Sequence, residues 1–168
     1  MARIAHSAQL HLSGPSRIRG LPRLRRIPAG SNAGRRRRWN AVGVTSGLLI
    51  VDDDRLFLEA ARVLLEREGL PVVGVVTNSV QALRLATDLR PDVILVDLML
   101  GDESGFDLTR RLDGHNEAAD PVVILMSTYS EADFAELIAE SPAAGFLPKS
   151  ELSADAIRRI VDGNTRRG

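Results

Sequence analysis

Five side chains in this sequence could together handle a phosphoryl group: the carboxylates of Asp52, Asp53 and Asp97, the hydroxyl of Ser127 and the ammonium of Lys149. Each follows an apolar run. Leu48–Val51 leads into Asp52-Asp53-Asp54, Val93–Val96 into Asp97, Val122–Met126 into Ser127, and Ala143–Leu147 into Pro148-Lys149. Short apolar runs bounded by turn signals read as strands buried on both faces of a parallel sheet. Parallel strands deliver their ends to one edge, and in open α/β sheets ligands bind at that edge.

Three carboxylates brought together repel and do not all stay ionised unaided. A hard divalent cation resolves the conflict, and Mg2+ prefers a few carboxylates with waters and a phosphate oxygen. A metal between Asp53 and Asp97 leaves room for a phosphoryl group. Lys149 supplies a point charge suited to phosphate, and the Ser127 hydroxyl can donate to a phosphate oxygen. Asp97 then reads as the nucleophile of aspartyl-phosphate chemistry, in a site that works by positioning and charge neutralisation. Taken singly, each residue has a plainer role. A strand-end Asp most often forms a turn or caps a helix, and Asp54 is assigned mainly that role. The argument for a site is the set, each member on its own strand. His115 in a polar connection, and His6 and His11 near the N-terminus, receive no role.

The elements that position these groups alternate. After the first strand, Leu56, Phe57, Ala60, Ala61, Val63, Leu64 and Leu65 recur at helical spacing, and Gly69 stops that helix at C′. Pro71–Val76 is a second strand. Asn78 or Ser79 caps a helix with Ala82, Leu83, Leu85, Ala86 and Leu89 as its apolar face. Pro91 ends that helix and opens the central strand. A loop with Gly101, Asp102, Ser104 and Gly105 leads to a short helix marked by Phe106, Leu108 and Leu112. Gly114–Asp120 is a polar connection. Glu131–Glu140 reads as a helix with Ala132, Ala135, Leu137 and Ile138 inward, and Ser153 caps a last helix carrying Ala156, Ile157, Ile160 and Val161. Alternating strands and helices with short connections predict a flavodoxin-like (βα)5 doubly wound parallel sheet, in the order 2-1-3-4-5. In that order the first and third strands are neighbours, which brings the three carboxylates together.

The sequence has no cysteine, so disulfides and cysteine-based zinc sites are excluded. No apolar run approaches the roughly 18 residues of a membrane span, and the chain reads as soluble and cytoplasmic. Its zero net charge conceals two unlike parts. Residues 1–46 hold ten arginines and no Asp or Glu; the remainder holds twelve basic and twenty-two acidic residues. The first part is rich in Arg, Gly, Pro and Ser, shows no sustained period, and offers too little apolar surface to offset chain entropy. It is expected to be a disordered extension. The block Arg35–Arg38 suits phosphate neutralisation by a DNA-binding arm, but a solvated tail, translated upstream of a natural start near Val42 or Val44, is the stronger reading. The folded domain is expected over 47–163 and a short tail over 164–168, with no output domain beyond the last helix.

The motifs LLIVDDDRLFLEAARVLLE (48–66), PDVILVDLMLGDESGFDL (91–108), VVILMSTYS (122–130) and GFLPKS (145–150) resemble the receiver domain of two-component response regulators. The resemblance covers about residues 47–163. It implies that Asp97 accepts phosphate from a phosphohistidine of a sensor histidine kinase or phosphotransfer protein. It implies Mg2+ held directly by Asp53 and Asp97 and by the main-chain carbonyl of Met99, with Asp52 acting through water. Lys149 pairs with the phosphate, Ser127 moves toward it, and Phe146 is the aromatic residue that turns inward with it. The face made by the fourth helix, fifth strand and fifth helix then changes and is read by an output protein; phosphorylation-dependent homodimerisation stays open. Such a domain signals and turns over no substrate beyond its own phosphorylation and slow dephosphorylation.

Against the family pattern, Ser127 replaces a commoner threonine and keeps the hydroxyl. Gly101 stands where proline is usual, Phe146 lacks the hydroxyl of a frequent tyrosine, and Ser150 replaces a proline after the lysine, so that a trans Lys149–Ser150 bond is expected. Met99 and Tyr129, two residues after the acceptor and the switch hydroxyl, are bulky and are not bases. They are expected to hinder attacking water and lengthen the life of the phosphate. The competing reading is a phosphohydrolase of the haloacid dehalogenase type, whose Asp-x-Asp is soon followed by Thr or Val; here Asp52-Asp53-Asp54 leads into Arg55-Leu56-Phe57 instead.

Overall fold

The computed structural model describes residues 47–113 and 121–165. The Arg-rich segment 1–46, the connection 114–120 with His115, and residues 166–168 lie outside them. The strands are β1 (Leu48–Val51), β2 (Val72–Val76), β3 (Val93–Asp97), β4 (Val122–Ser127) and β5 (Gly145–Pro148). The helices are α1 (Arg55–Arg67), α2 (Ser79–Leu89), α3 (Gly105–Asp113), α4 (Ala135–Glu140) and α5 (Ala154–Thr165). The five strands form one parallel sheet in the expected order, β2-β1-β3-β4-β5.

Alternate residues of the buried strands feed two cores, because successive side chains point to opposite faces. Leu48, Ile50, Leu95 and Met126 face α1 and α5, where Leu58, Leu65 and Ile157 meet them. Leu49, Val51, Ile94 and Leu125 face α2 and α3, where Leu83, Leu108 and Leu112 meet them. Burying each such side chain stabilises the fold by about 1.5–3 kcal/mol. β1 and β3 are buried along their whole length, which fixes their ends rigidly.

The helix ends follow local chemistry. Asp54 caps α1 as expected, its Oδ1 accepting from the Leu56 and Phe57 amides at 2.9 and 3.2 Å. Gly69 takes φ 82° just past the helix, and the Leu70 amide returns to the Leu65 carbonyl, a C-terminal closure that needs the left-handed conformation. Asn78 caps α2 by accepting from the Gln81 amide at 2.9 Å. Ser153 caps α5 by accepting from the Ala156 amide at 3.2 Å.

Several expectations are corrected. The buried stripe of α1 is Leu58, Ala61 and Leu65; Leu56, Ala60, Val63 and Leu64 face solvent. The sequence is apolar around more than one side of this helix, so its period does not choose between stripes, and only one side meets the sheet. The helix expected over Glu131–Glu140 is broken into a 3-10 turn, Glu131–Phe134, and the short α4. Asp133 accepts from both the Ser130 amide and hydroxyl, which winds the first turn tightly. None of Ala132, Ala135 or Leu137 is buried, and Ile138 is half-buried. The loop after β3 contains a two-residue antiparallel ribbon, Met99–Leu100 against Glu103–Ser104, turning at Gly101 with φ 62°. α2 ends on Arg90 in the left-handed region, one residue before Pro91. Expected edges shift slightly: β4 extends to Ser127, β5 spans Gly145–Pro148, and α5 runs past 163.

Candidate functional site

Val51 pairs with Val96 across β1 and β3, so the residues that follow, Asp52 and Asp97, emerge side by side. Asp52 and Asp97 are buried and Asp53 is exposed. One carboxylate oxygen from each of the three lies within 4.8 Å of the others. The convergence expected from strand order is therefore present.

Lys149 closes the cluster from the end of β5. Its Nζ donates to Asp97 Oδ2 at 3.0 Å and lies 2.7 Å from Asp52 Oδ2. It also sits over the Phe57 ring, 4.6 Å from the centroid, a cation–π contact that positions the ammonium from the α1 side. It is the chain's single lysine. Asp52 Oδ1 accepts from the Asp54 amide at 3.0 Å. Asp52 Oδ2 is buried, and the Lys149 ammonium 2.7 Å away is its charged partner.

Burial pushes the carboxyl pKa values of Asp52 and Asp97 above the ordinary range, against the opposing pull of Lys149. Burial acts to lower the Lys149 pKa, but its hydrogen bonds and attraction to Asp52 and Asp97 outweigh this and raise it. The site thus holds more negative charge than one lysine compensates. Three clustered carboxylates with only one lysine to offset them are the oxygen donor set a hard divalent cation takes, so these residues fit Mg2+.

Ser127 is buried at the end of β4, one residue beyond Met126, which pairs with Asp97. Its Oγ accepts from the Tyr129 amide at 3.1 Å. Phe146 is buried in the core facing α2 and α3. Met99 and Tyr129 are both more than half exposed, and the Tyr129 ring packs edge-on against Phe134 at 6.2 Å. Sequence reasoning missed three residues here. The sequence pattern places Phe57 only on a helix face; it shows Gly105, which packs on the Asp97 backbone, only as loop; and it carries no signal for Glu103, which accepts from the Ser79 amide.

The response regulator receiver domain family matches residues 48–162. The chain belongs to that family. Among curated relatives of this receiver domain, response regulator GacA of Pseudomonas aeruginosa is 32% identical over 120 residues, covering 69% of this chain and 55% of that protein. Transcriptional regulatory protein LiaR of Bacillus subtilis is 28% identical over 123 residues, 71% and 57% of the two chains. The chain thus spans just over half the length of these relatives. Among solved structures, the signal receiver domain of a modulated diguanylate cyclase from Desulfovibrio desulfuricans matches with TM-score 0.60 and 32% identity, over 74% of this chain and 96% of that one. A LuxR-family response regulator from Aurantimonas matches with TM-score 0.63 and 29% identity, over 71% and 87%. The competing phosphohydrolase reading finds no support in these likenesses. Among the described residues of the receiver, the Lys149–Ser150 bond is trans as expected, and no helix is long and apolar enough to cross a membrane.

Proposed function

We propose that this receiver domain accepts a phosphoryl group on Asp97 from a phosphohistidine donor, a sensor histidine kinase or a phosphotransfer protein. The observation that carries this reading is the ion pair of the single lysine with Asp97 inside a three-carboxylate cluster. A carboxylate oxygen of Asp97 attacks phosphorus, and the bond from phosphorus to the donor nitrogen breaks. Lys149 then transfers its hydrogen bond from the carboxylate to the phosphoryl oxygens. Asp53, Asp97 and the Met99 carbonyl would hold Mg2+ directly, and Asp52 would act through water. When bound, the ion neutralises the charge that gathers on the phosphoryl oxygens and orients the group.

The buried Ser127 hydroxyl lies one strand from Asp97 and reports phosphorylation by moving toward the new oxygens; Phe146 repacks with it. The largely exposed α4 and its neighbours β5 and α5 form the face an output protein reads. Leu56, 84% exposed and three residues from Asp53, offers an apolar contact to the donor beside the acceptor. The domain acts in the cytoplasm as a signalling element and not as a turnover enzyme.

The test is phosphorylation by acetyl phosphate, or binding of beryllofluoride, with and without Mg2+. One Mg2+-dependent label per chain, lost in Asp97→Asn, is expected. A labelled Asp97→Asn protein overturns the assignment.

A further inference from the structure

The ribbon that follows Asp97 is tied to a helix that carries none of the reactive groups. Glu103 Oε2 accepts from the Ser79 amide at 3.0 Å, across 24 residues of sequence. Ser79 is the first residue of α2, so its amide has no partner within the helix. Asn78 already serves the Gln81 amide, and Ala82 reaches the Asn78 carbonyl. Glu103 thus fills a vacancy in the first turn, where the helix dipole also favours a carboxylate. Arg111 of α3 approaches Ser79 Oγ at 3.5 Å from the other side.

The tethered ribbon borders the carboxylate cluster. Glu103 pairs with Leu100 and Ser104 with Met99. The turn between them is Gly101, where an added Cβ would stand 3.9 Å from Asp53 Oδ2. Glycine at this turn leaves the backbone unusually free, and the pairing of two two-residue strands restrains it only locally. The first strand is held by the Met99 amide on the Asp97 carboxylate and by Leu100, buried in the core; the second is held from outside by the Glu103–Ser79 hydrogen bond.

We propose that Glu103 is a positioning residue for the metal site, holding the ribbon against α2 and so fixing the Met99 carbonyl and the Gly101 turn beside Asp53. This rests on the reading of Asp52, Asp53 and Asp97 as a Mg2+ site. Glu103 touches neither metal nor phosphoryl group; it acts through the backbone of residues 99–101.

Ser79→Pro offers a clean second arm. Proline is favoured at the first position of a helix, and the preceding Asn78 already has the extended conformation proline requires (φ −154°, ψ 166°). The substitution keeps residue 103 as glutamate but replaces the donor hydrogen with a ring carbon, which removes the hydrogen bond and displaces the Glu103 carboxylate. Ser79→Ala deletes only the hydroxyl that faces Arg111.

The experiment is calorimetric titration of Mg2+ into the unphosphorylated full chain, with amide hydrogen exchange across residues 99–104. Glu103→Ala and Ser79→Pro are each expected to weaken Mg2+ binding by about tenfold, as loss of outer-shell partners does, and to speed exchange in the ribbon. The double variant binds no more weakly than the poorer single one, and Ser79→Ala binds like the wild type. Labelling by acetyl phosphate slows at limiting Mg2+ and recovers at saturating Mg2+. Unchanged Mg2+ affinity in Glu103→Ala or Ser79→Pro, or additive losses in the double variant, overturns the inference alone. A wild-type chain that binds no Mg2+ overturns the site reading itself, and the inference with it.

Discussion

A methyl group at Gly105 would stand 2.0 Å from the main-chain carbonyl oxygen of Asp97. The first residue of α3 is thus packed directly beneath the acceptor, and the Gly105 amide donates to the Leu98 carbonyl at 2.9 Å. The atoms in the way are backbone, so no flexible side chain can yield. Gly105→Ala is expected to cost about 2 kcal/mol, the range of overpacked interiors, and to slow labelling of Asp97 by moving its peptide. Gly163 in α5 meets nothing within 4 Å, and Gly163→Ala should stabilise by about 0.5–1 kcal/mol through helix propensity. Urea unfolding of both variants checks the pair; a Gly105→Ala protein of wild-type stability and labelling rate refutes the packing argument.

The parts of this site legible in sequence are those that depend on strand ends. Val93–Val96 reads as a buried strand from its apolar run, Asp97 closes it, and parallel order alone brings Asp52, Ser127 and Lys149 to the same edge. Asp54 as a cap was equally plain, because its partners are two and three residues away. What failed depended on tertiary choice or on one local side-chain bond. α1 carries enough apolar residues for more than one stripe, and only packing selects Leu58, Ala61 and Leu65. The break at Phe134 follows from a side-chain bond to Asp133 that competes with a regular helix start. Glu103 could not be found, since its partner is a backbone amide 24 residues away that has no sequence signature. One unused signal was available: in a chain with a single lysine, the position of that lysine directly after a strand is informative.

Metal-free protein should carry a stability deficit that acid relieves. Burial raises the carboxyl pKa values of Asp52 and Asp97 over their unfolded values. Between the ordinary carboxylate range and the raised values, the folded state binds more protons than the unfolded one. The contribution of these groups to stability therefore falls as pH rises through that window and grows as pH is lowered through it. Asp97→Asn removes the buried charge and should raise the melting temperature in EDTA at neutral pH by a few degrees, corresponding to about 1 kcal/mol. Mg2+ should stabilise the wild type and shrink this difference. A lower melting temperature for Asp97→Asn in EDTA at neutral pH contradicts the balance of charges described.

Lys149→Met separates the two roles of the lysine. Without it, Asp52 and Asp97 face each other with no nearby cation, and breaking a buried pair in this way costs about 3 kcal/mol. The loss should appear in EDTA and be largely restored by Mg2+, because the ion replaces the missing positive charge. Mg2+ affinity itself should equal or exceed the wild-type value, since a competing cation has gone. Labelling by acetyl phosphate should nevertheless drop, because the cationic side chain that meets the phosphoryl oxygens is gone. Calorimetry on the variant decides the matter, and markedly weaker Mg2+ binding is the adverse result.

The lifetime of the phosphoryl group should be set at the rim by Tyr129 and Met99. Both are more than half exposed and bulky, and each follows its partner, Ser127 or Asp97, by two residues. Bulk at these positions is expected to narrow the approach of water along the line of attack. Tyr129→Ala is a mild test, because the contact with Ser127 Oγ is made by the Tyr129 backbone amide at 3.1 Å and survives the substitution. The side chain lost is one whose packing is an edge contact with Phe134, so the fold should be little affected. After removal of the donor, loss of label from Tyr129→Ala should be several-fold faster than from the wild type, on the order of 1 kcal/mol of barrier. Met99→Ala should act in the same direction. Equal decay in Tyr129→Ala and wild type, at equal Mg2+ occupancy, sinks the steric account and leaves the lifetime to the buried charges alone.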